Sequence, residues 1–213
     1  MTIAIDSNIV YIRQITMFFC KDNHIMQVKK ICVFCGARDG YNPKISQTAA
    51  KVGEMLAGLE ISIVFGGSNR GLMGAVTDAA LANDGEVIGV LPDILEGIET
   101  EHKKVTQLIR TPCLATRKQK MMDMSDAFLI LPGGYGTLDE LYEILVLRKI
   151  KTNRKPIILF NYQGFWNDTL AQIEHLVAEG FVSSEEKHIF NTVSNIEQLG
   201  ELLQEQTEAM QVV

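Results

Sequence analysis

From Lys30 onward the chain alternates short runs rich in Val, Ile, Leu and Phe with longer segments of helical spacing, and this alternation restricts the fold more than any other feature. Apolar runs stand at Ile31 to Cys35, Ile61 to Phe65, Glu86 to Leu91, Thr106 to Ile109, Ala127 to Leu131 and Pro156 to Phe160, with a weaker one near Thr192. Helical spacing fits Ile45 to Leu59, Gly71 to Asn83, Thr116 to Met124, Leu138 to Lys149, Phe165 to Glu179 and Ile196 to Gln204. Strands that are apolar almost throughout belong to a sheet covered on both faces. The pattern therefore predicts an α/β, Rossmann-like, doubly wound fold with a mostly parallel sheet and helices on both faces.

No linker, repeat or low-complexity tract interrupts this pattern, so residues 29–213 read as one Rossmann-like domain preceded by an N-terminal extension, residues 1–28. The first 25 residues are apolar but broken by Asp6 and Arg13, which argues against a membrane span. They also lack a basic start and a small-residue cleavage site, so a signal peptide is not expected and the protein is read as cytoplasmic. Met26, just ahead of the first strand, is an alternative natural start. "SNIE", Ser194 to Glu197, has the form of a capping box for the last helix.

Composition narrows the function. A net charge of -6 with no long basic run does not suit a nucleic-acid binder, and a hydrophobic share of 46% over 213 residues supports a well-cored domain that takes a small ligand. Of the four cysteines, Cys32 and Cys35 form a CxxC spacing. It lies within a strand, where residues three apart face opposite ways, and no second ligand pair accompanies it, so buried thiols are expected and no metal.

In doubly wound sheets ligands bind beyond the carboxyl ends of the strands. Three turns there are glycine-rich: "CGARDG" after the first strand, "FGGSNRGLMG" after the second and "PGGYGT" after the fifth. Such turns bring backbone N–H groups and a helix dipole to an anion. The Walker A pattern fails for want of its lysine and hydroxyl residue, and the spacing of Gly67, Gly71 and Gly74 is not that of a dinucleotide fingerprint. A packing role for Gly71 and Gly74 is the plain alternative. Beyond the third turn, Thr137-x-x-Glu140 has the form of a capping box, with Asp139 as a first-turn acid. Capping and chemistry stand here as alternative uses of Glu140.

Several blocks, taken together, carry a resemblance. "LATRKQKMMDMSDAFLILPGGYGTLDEL" resembles the signature of the LOG family, the cytokinin riboside 5′-monophosphate phosphoribohydrolases, with its Arg-Lys-x-x-Met segment ahead of PGGxGTxxE. "ICVFCGARDG", "VFGGSNRGLMGAV", "VIGVLP" and "KPIILFNYQGFW" follow in the family's order. The resemblance implies hydrolysis of the N-glycosidic bond of a nucleoside 5′-monophosphate, giving a free base and ribose 5-phosphate. It implies Glu140 and Arg117 as catalytic residues. It also implies that Gly133, Gly134, Tyr135, Gly136, Thr137, Lys118, Glu99, Gly67 and Ser68 bind substrate or its phosphate, and that the protein is a homodimer needing no metal or cofactor. His102, in the same stretch as Glu99, reads equally as a site residue or a surface one. Proteins of this kind are often labelled lysine decarboxylases, a label implying a pyridoxal phosphate lysine that no residue here identifies. The chain departs from the family pattern at Ala115, in "CGARDG", and at Val146 and Leu147, which leaves a cytokinin precursor and an AMP-like nucleotide both open as substrate. A non-catalytic nucleotide-binding or carrier protein of the same fold is the rival reading.

Overall fold

The computed structural model describes residues 28–95 and 100–208. The leader up to Gln27, with the alternative start at Met26, lies outside the described residues. Seven strands form one sheet: β1 (Lys30–Phe34), β2 (Ser62–Phe65), β3 (Val87–Pro92), β4 (Gln107–Thr111), β5 (Ala127–Ile130), β6 (Ile157–Phe160) and β7 (Asn191–Val193). Six helices lie between and after them: α1 (Pro43–Gly58), α2 (Gly71–Ala82), α3 (Leu114–Met124), α4 (Tyr135–Lys149), α5 (Asn167–Ala178) and α6 (Ile196–Glu208). Every expected strand and helix is present, with ends shifted by up to three residues in the described termini other than that of α6.

The strand order is β4-β3-β2-β1-β5-β6-β7, and every pairing between named strands is parallel. An antiparallel bridge, Ser68 to Glu101, stands apart from the strands. β1 lies in the middle of the sheet; the strands after it build outward to β4, and the chain then crosses back to lay β5 on the free side of β1. The loops leaving β1 and β5 therefore turn away from each other at the carboxyl ends of adjacent strands, and a crevice opens between them.

Two-sided burial explains the continuous apolar strands. Ile31, Val33, Ile63, Phe65, Leu129 and Ile158 pack with Leu56 of α1, Val76 of α2 and Leu199 of α6. Their alternates Cys32, Phe34, Val64, Ile88, Phe128 and Leu159 pack with Met121 of α3, Ile144 of α4 and Trp166 at the head of α5. Cys32 and Cys35 fall in opposite cores, as their spacing in a strand requires. Burial pushes both thiols well above the usual range, so neither is poised for reaction. Phe34, Phe65, Phe128 and Phe160 are fully buried, each contributing roughly 1.5–3 kcal/mol of hydrophobic stabilisation.

The cap of α6 departs from expectation by one residue. Gln198 N–H donates to Asn195 Oδ1 and Ser194 N–H donates to Gln198 Oε1, so Asn195 rather than Ser194 accepts from the first turn, and Gln198 rather than Glu197 reaches back. The amide of Asn195 serves an N-cap as well as a hydroxyl does, and the helix takes the later start.

Candidate active site

A cleft of about 770 Å³ occupies the crevice at the switch point. Its walls come from the turn after β1, from Gly66 and Met73 beside β2 and α2, from Arg117 on α3, from residues 132–138 with Glu140, and from Phe165. Two glycine turns meet at its floor, where Gly36 N–H donates to the Pro132 carbonyl at 3.0 Å.

The turn after β5 feeds directly into α4. Gly134 is the N-cap and Tyr135 the first helical residue, so the N–H groups of the opening turn point out of the helix without intrahelical partners. A side chain on Gly134 or Gly136 would extend into open space, so the approach to this backbone is clear of protein. Gly133 is different, since a Cβ there would fall 2.1 Å from Thr137 Oγ1. Its absence lets Thr137, buried at 3% exposure, pack against the turn. The geometry suits an anion at the head of α4.

This early helix start corrects the capping-box reading of Thr137 and Glu140. Thr137 is already the third residue of α4 and Glu140 the sixth, beyond the turn whose N–H groups need capping, and no side chain caps this helix. Asp139 is likewise past the first turn. With a glycine N-cap the backbone at the head of α4 is left open, and Glu140 is released from any capping role.

Glu140 lies one turn down the same helix, 7% exposed, at the edge of the cleft. Burial, only partly offset by the Arg117 guanidinium, lifts its carboxyl from an ordinary 4.5 to about 7. Arg117 Nη2 stands 3.7 Å from Glu140 Oε1. The guanidinium is held from its other side by Nε donating to the Val90 carbonyl at 3.1 Å. Gly66 makes room for it: a Cβ there would lie 2.0 Å from Arg117 Nη2. A cation and a carboxyl of near-neutral proton affinity are thus fixed side by side, about one helical turn from the open head of α4.

Other expected site residues are placed differently. Lys118 does not line the cleft; its ammonium is bound to Asp139 and Glu143 on α4. Gly67 and Ser68 also stand behind the wall. The Gly67 carbonyl accepts from His102 N–H and Ser68 Oγ accepts from Arg70 N–H, so both shape the loop that carries Gly66. Glu99 lies outside the described residues. His102 is 2% exposed rather than at the surface, because its ring packs edge-on against Phe65. Its Nε2 sits 3.3 Å from Asp78 Oδ1, off the line of a hydrogen bond.

The sequence reading passed over Arg38. It lines the cleft from the turn after β1, and no ion pair engages it among the described residues. Its only sequence signal is its place inside the glycine-flanked "CGARDG" turn. Phe165 is also on the cleft wall, 42% exposed. A pyridoxal phosphate cofactor does not fit this lining, since it contains no lysine among the described residues.

Residues 73–203 match the family model described as "Possible lysine decarboxylase". A probable cytokinin riboside 5′-monophosphate phosphoribohydrolase of Oryza sativa subsp. japonica is 34% identical over 182 residues, covering 85% of this chain and 80% of the relative. Cytokinin riboside 5′-monophosphate phosphoribohydrolases of Arabidopsis thaliana and of Rhodococcoides fascians are 36% and 37% identical, covering 83% and 73% of this chain and 82% and 79% of their own lengths. Among solved structures, a molybdenum cofactor binding protein from Rippkaea orientalis superposes with a TM-score of 0.64 at 24% identity, covering 84% of this chain and 98% of that one. The molybdenum cofactor carrier protein of Chlamydomonas reinhardtii matches with the same TM-score and coverage at 20% identity, and at such identities the likeness is one of fold. By the extent of the family match and of the sequence relatives, this chain belongs to the LOG family, whose family model carries the lysine decarboxylase description.

Proposed function

We propose that this protein hydrolyses the N-glycosidic bond of a nucleoside 5′-monophosphate, releasing a free base and ribose 5-phosphate. The observation that carries the reading is Glu140, a buried carboxyl with a proton affinity near neutrality, beside Arg117 and one turn from the open head of α4. The family membership and the names of the relatives support it.

In this reading the backbone of Gly133, Gly134, Tyr135 and Gly136, with the Thr137 hydroxyl, holds the 5′-phosphate. Arg38 reaches the same anion from the opposite turn. Ribose then lies toward Glu140. As the C–N bond lengthens, its electron pair leaves with the base and positive charge grows on the sugar, where the Glu140 carboxylate stabilises it. Water bonds to the anomeric carbon and gives its proton to Glu140, while the departing base takes one from solvent. Arg117, its guanidinium beside Glu140 Oε1, keeps the carboxylate oriented.

Residues 29–213 act as one catalytic unit, and two copies associate. Leu114 at the head of α3, and Val146 with Ile150 one turn apart at the end of α4, are each about half exposed, apolar surface that a second copy would cover. Free thiols among the described cysteines suit a cytoplasmic setting. No helix among the described residues is long and apolar enough to cross a membrane. Incubation with AMP and with isopentenyladenosine monophosphate, followed by chromatography, tests the activity. Free base supports the enzyme, whereas binding without base release would leave a carrier of the same fold.

A further inference from the structure

Adjacent basic residues of α3 meet three acids within five residues of α4. Arg117 faces Glu140, and Lys118 Nζ lies 2.8 Å from Asp139 Oδ2 and 2.7 Å from Glu143 Oε2. Asp139 precedes Glu140 and Glu143 follows it by three, so the two carboxylates lie on either side of it along the helix. The Lys118 side chain is only 16% exposed, and Glu143 Oε2 is buried, making no aligned hydrogen bond and relying on the ammonium beside it. Lys118 is not among the residues that line the cleft.

We propose that Lys118 is a positioning residue, pinning α3 to α4 and neutralising the two carboxylates that flank Glu140, rather than a residue that binds substrate. This rests on the proposed reading of Glu140 as the acting carboxylate. The charged and titratable groups around Glu140 are Arg117 and Lys118 from α3, Asp139 and Glu143 from its own helix, and the thiols of Cys32 and Cys35 from β1 and its end. Burial raises the proton affinity of Glu140 most; Arg117 and Lys118 oppose the rise, while Asp139 and Glu143 add to it. Removing the ammonium frees two negative charges beside a buried carboxyl that must ionise to work. Removing Asp139 does the reverse.

The experiment reads the titration of Glu140 in two ways. The first needs no turnover: stability of the full chain against pH, with and without Glu140→Gln, in wild-type, Lys118→Met and Asp139→Asn backgrounds. The pH at which each pair diverges reports Glu140. The second is kcat/KM against pH with AMP. Lys118→Met is expected to move both midpoints up by about one pH unit, lowering kcat/KM about tenfold at pH 6 and little at pH 9, with KM nearly constant. Asp139→Asn moves both midpoints down, and Lys118→Arg restores the wild-type values. Unmoved midpoints with a raised KM at every pH would overturn the proposal in favour of substrate binding. If Lys118→Met fails to fold, the downward shift in Asp139→Asn decides, and its absence refutes the proposal. Should AMP not be hydrolysed at all, the reading of function fails while the stability series still tests the role of Lys118.

Discussion

Replacing Glu140 with Gln should make the protein more stable above neutrality while cutting its turnover by roughly 10²–10⁴. Burial raises the Glu140 carboxyl from 4.5 to about 7, so folding favours its protonated form. A group raised in this way contributes stability that is fully present below its unfolded value near 4.5 and is lost as pH climbs through 7. At about 1.4 kcal/mol for each tenfold change in proton affinity, the ionised carboxylate costs the wild-type fold about 3 kcal/mol at pH 8. Glutamine stands in for the protonated acid, with the same shape and no charge to bury. The variant should therefore match wild type near pH 4.5 and exceed it by up to about 3 kcal/mol at pH 8, or roughly 6–12 °C in melting temperature for a chain of this size. Thermal and urea unfolding of both proteins from pH 4.5 to 8.5 measures the difference. Equal stability at all pH values, or a variant weaker at pH 8 because Arg117 has lost its partner, would refute the argument.

The same titration should appear in catalysis. With Glu140 acting as a carboxylate, kcat/KM rises with pH through about 7 to a plateau, and a profile that falls through 7 would make Glu140 a proton donor instead. Gly66→Ala places a methyl group 2.0 Å from the Arg117 guanidinium. It should cut kcat at least about tenfold while costing about 1–3 kcal/mol of stability by overpacking, and unchanged turnover would show that the placement of Arg117 is unimportant. Thiol labelling should separate the described cysteines. Cys113, exposed and lowered by the Thr116 hydroxyl, reacts in the native protein, whereas Cys32 and Cys35 react only on unfolding. Fast native labelling of either buried thiol would contradict the packing described for β1.

The sheet could be read from sequence because a parallel strand buried on both faces leaves an apolar run that local chemistry alone explains. Helix ends were less legible. Thr137-x-x-Glu140 has the letters of a capping box, yet the Gly133–Gly134 turn lets α4 begin at Tyr135 and puts both residues inside the helix. The pairing of Arg117 with Glu140 came from a family resemblance, and the space that Gly66 leaves for it exists only once β2 lies beneath α3. Lys118 reads as a surface or substrate-facing cation until α3 and α4 are laid together, because its two partners stand more than twenty residues further on. His102, in the polar stretch "ETEHKK", gives no hint of burial. It is drawn inward by its backbone bond to Gly67 and by the Phe65 ring, contacts no local pattern encodes.

The central claim is that the head of α4 holds a phosphate while Glu140, a turn away, serves cleavage of the bond to the base. It is tested most directly by following base release from AMP and from isopentenyladenosine monophosphate with the wild-type protein and Glu140→Gln, alongside nucleotide affinity measured by calorimetry. The account predicts free base and ribose 5-phosphate in equal amounts from at least one nucleotide, and a loss of roughly 10²–10⁴ in turnover for the variant with affinity nearly kept. Tight binding with no base released by the wild type, or a variant that turns over as fast as its parent, would contradict it.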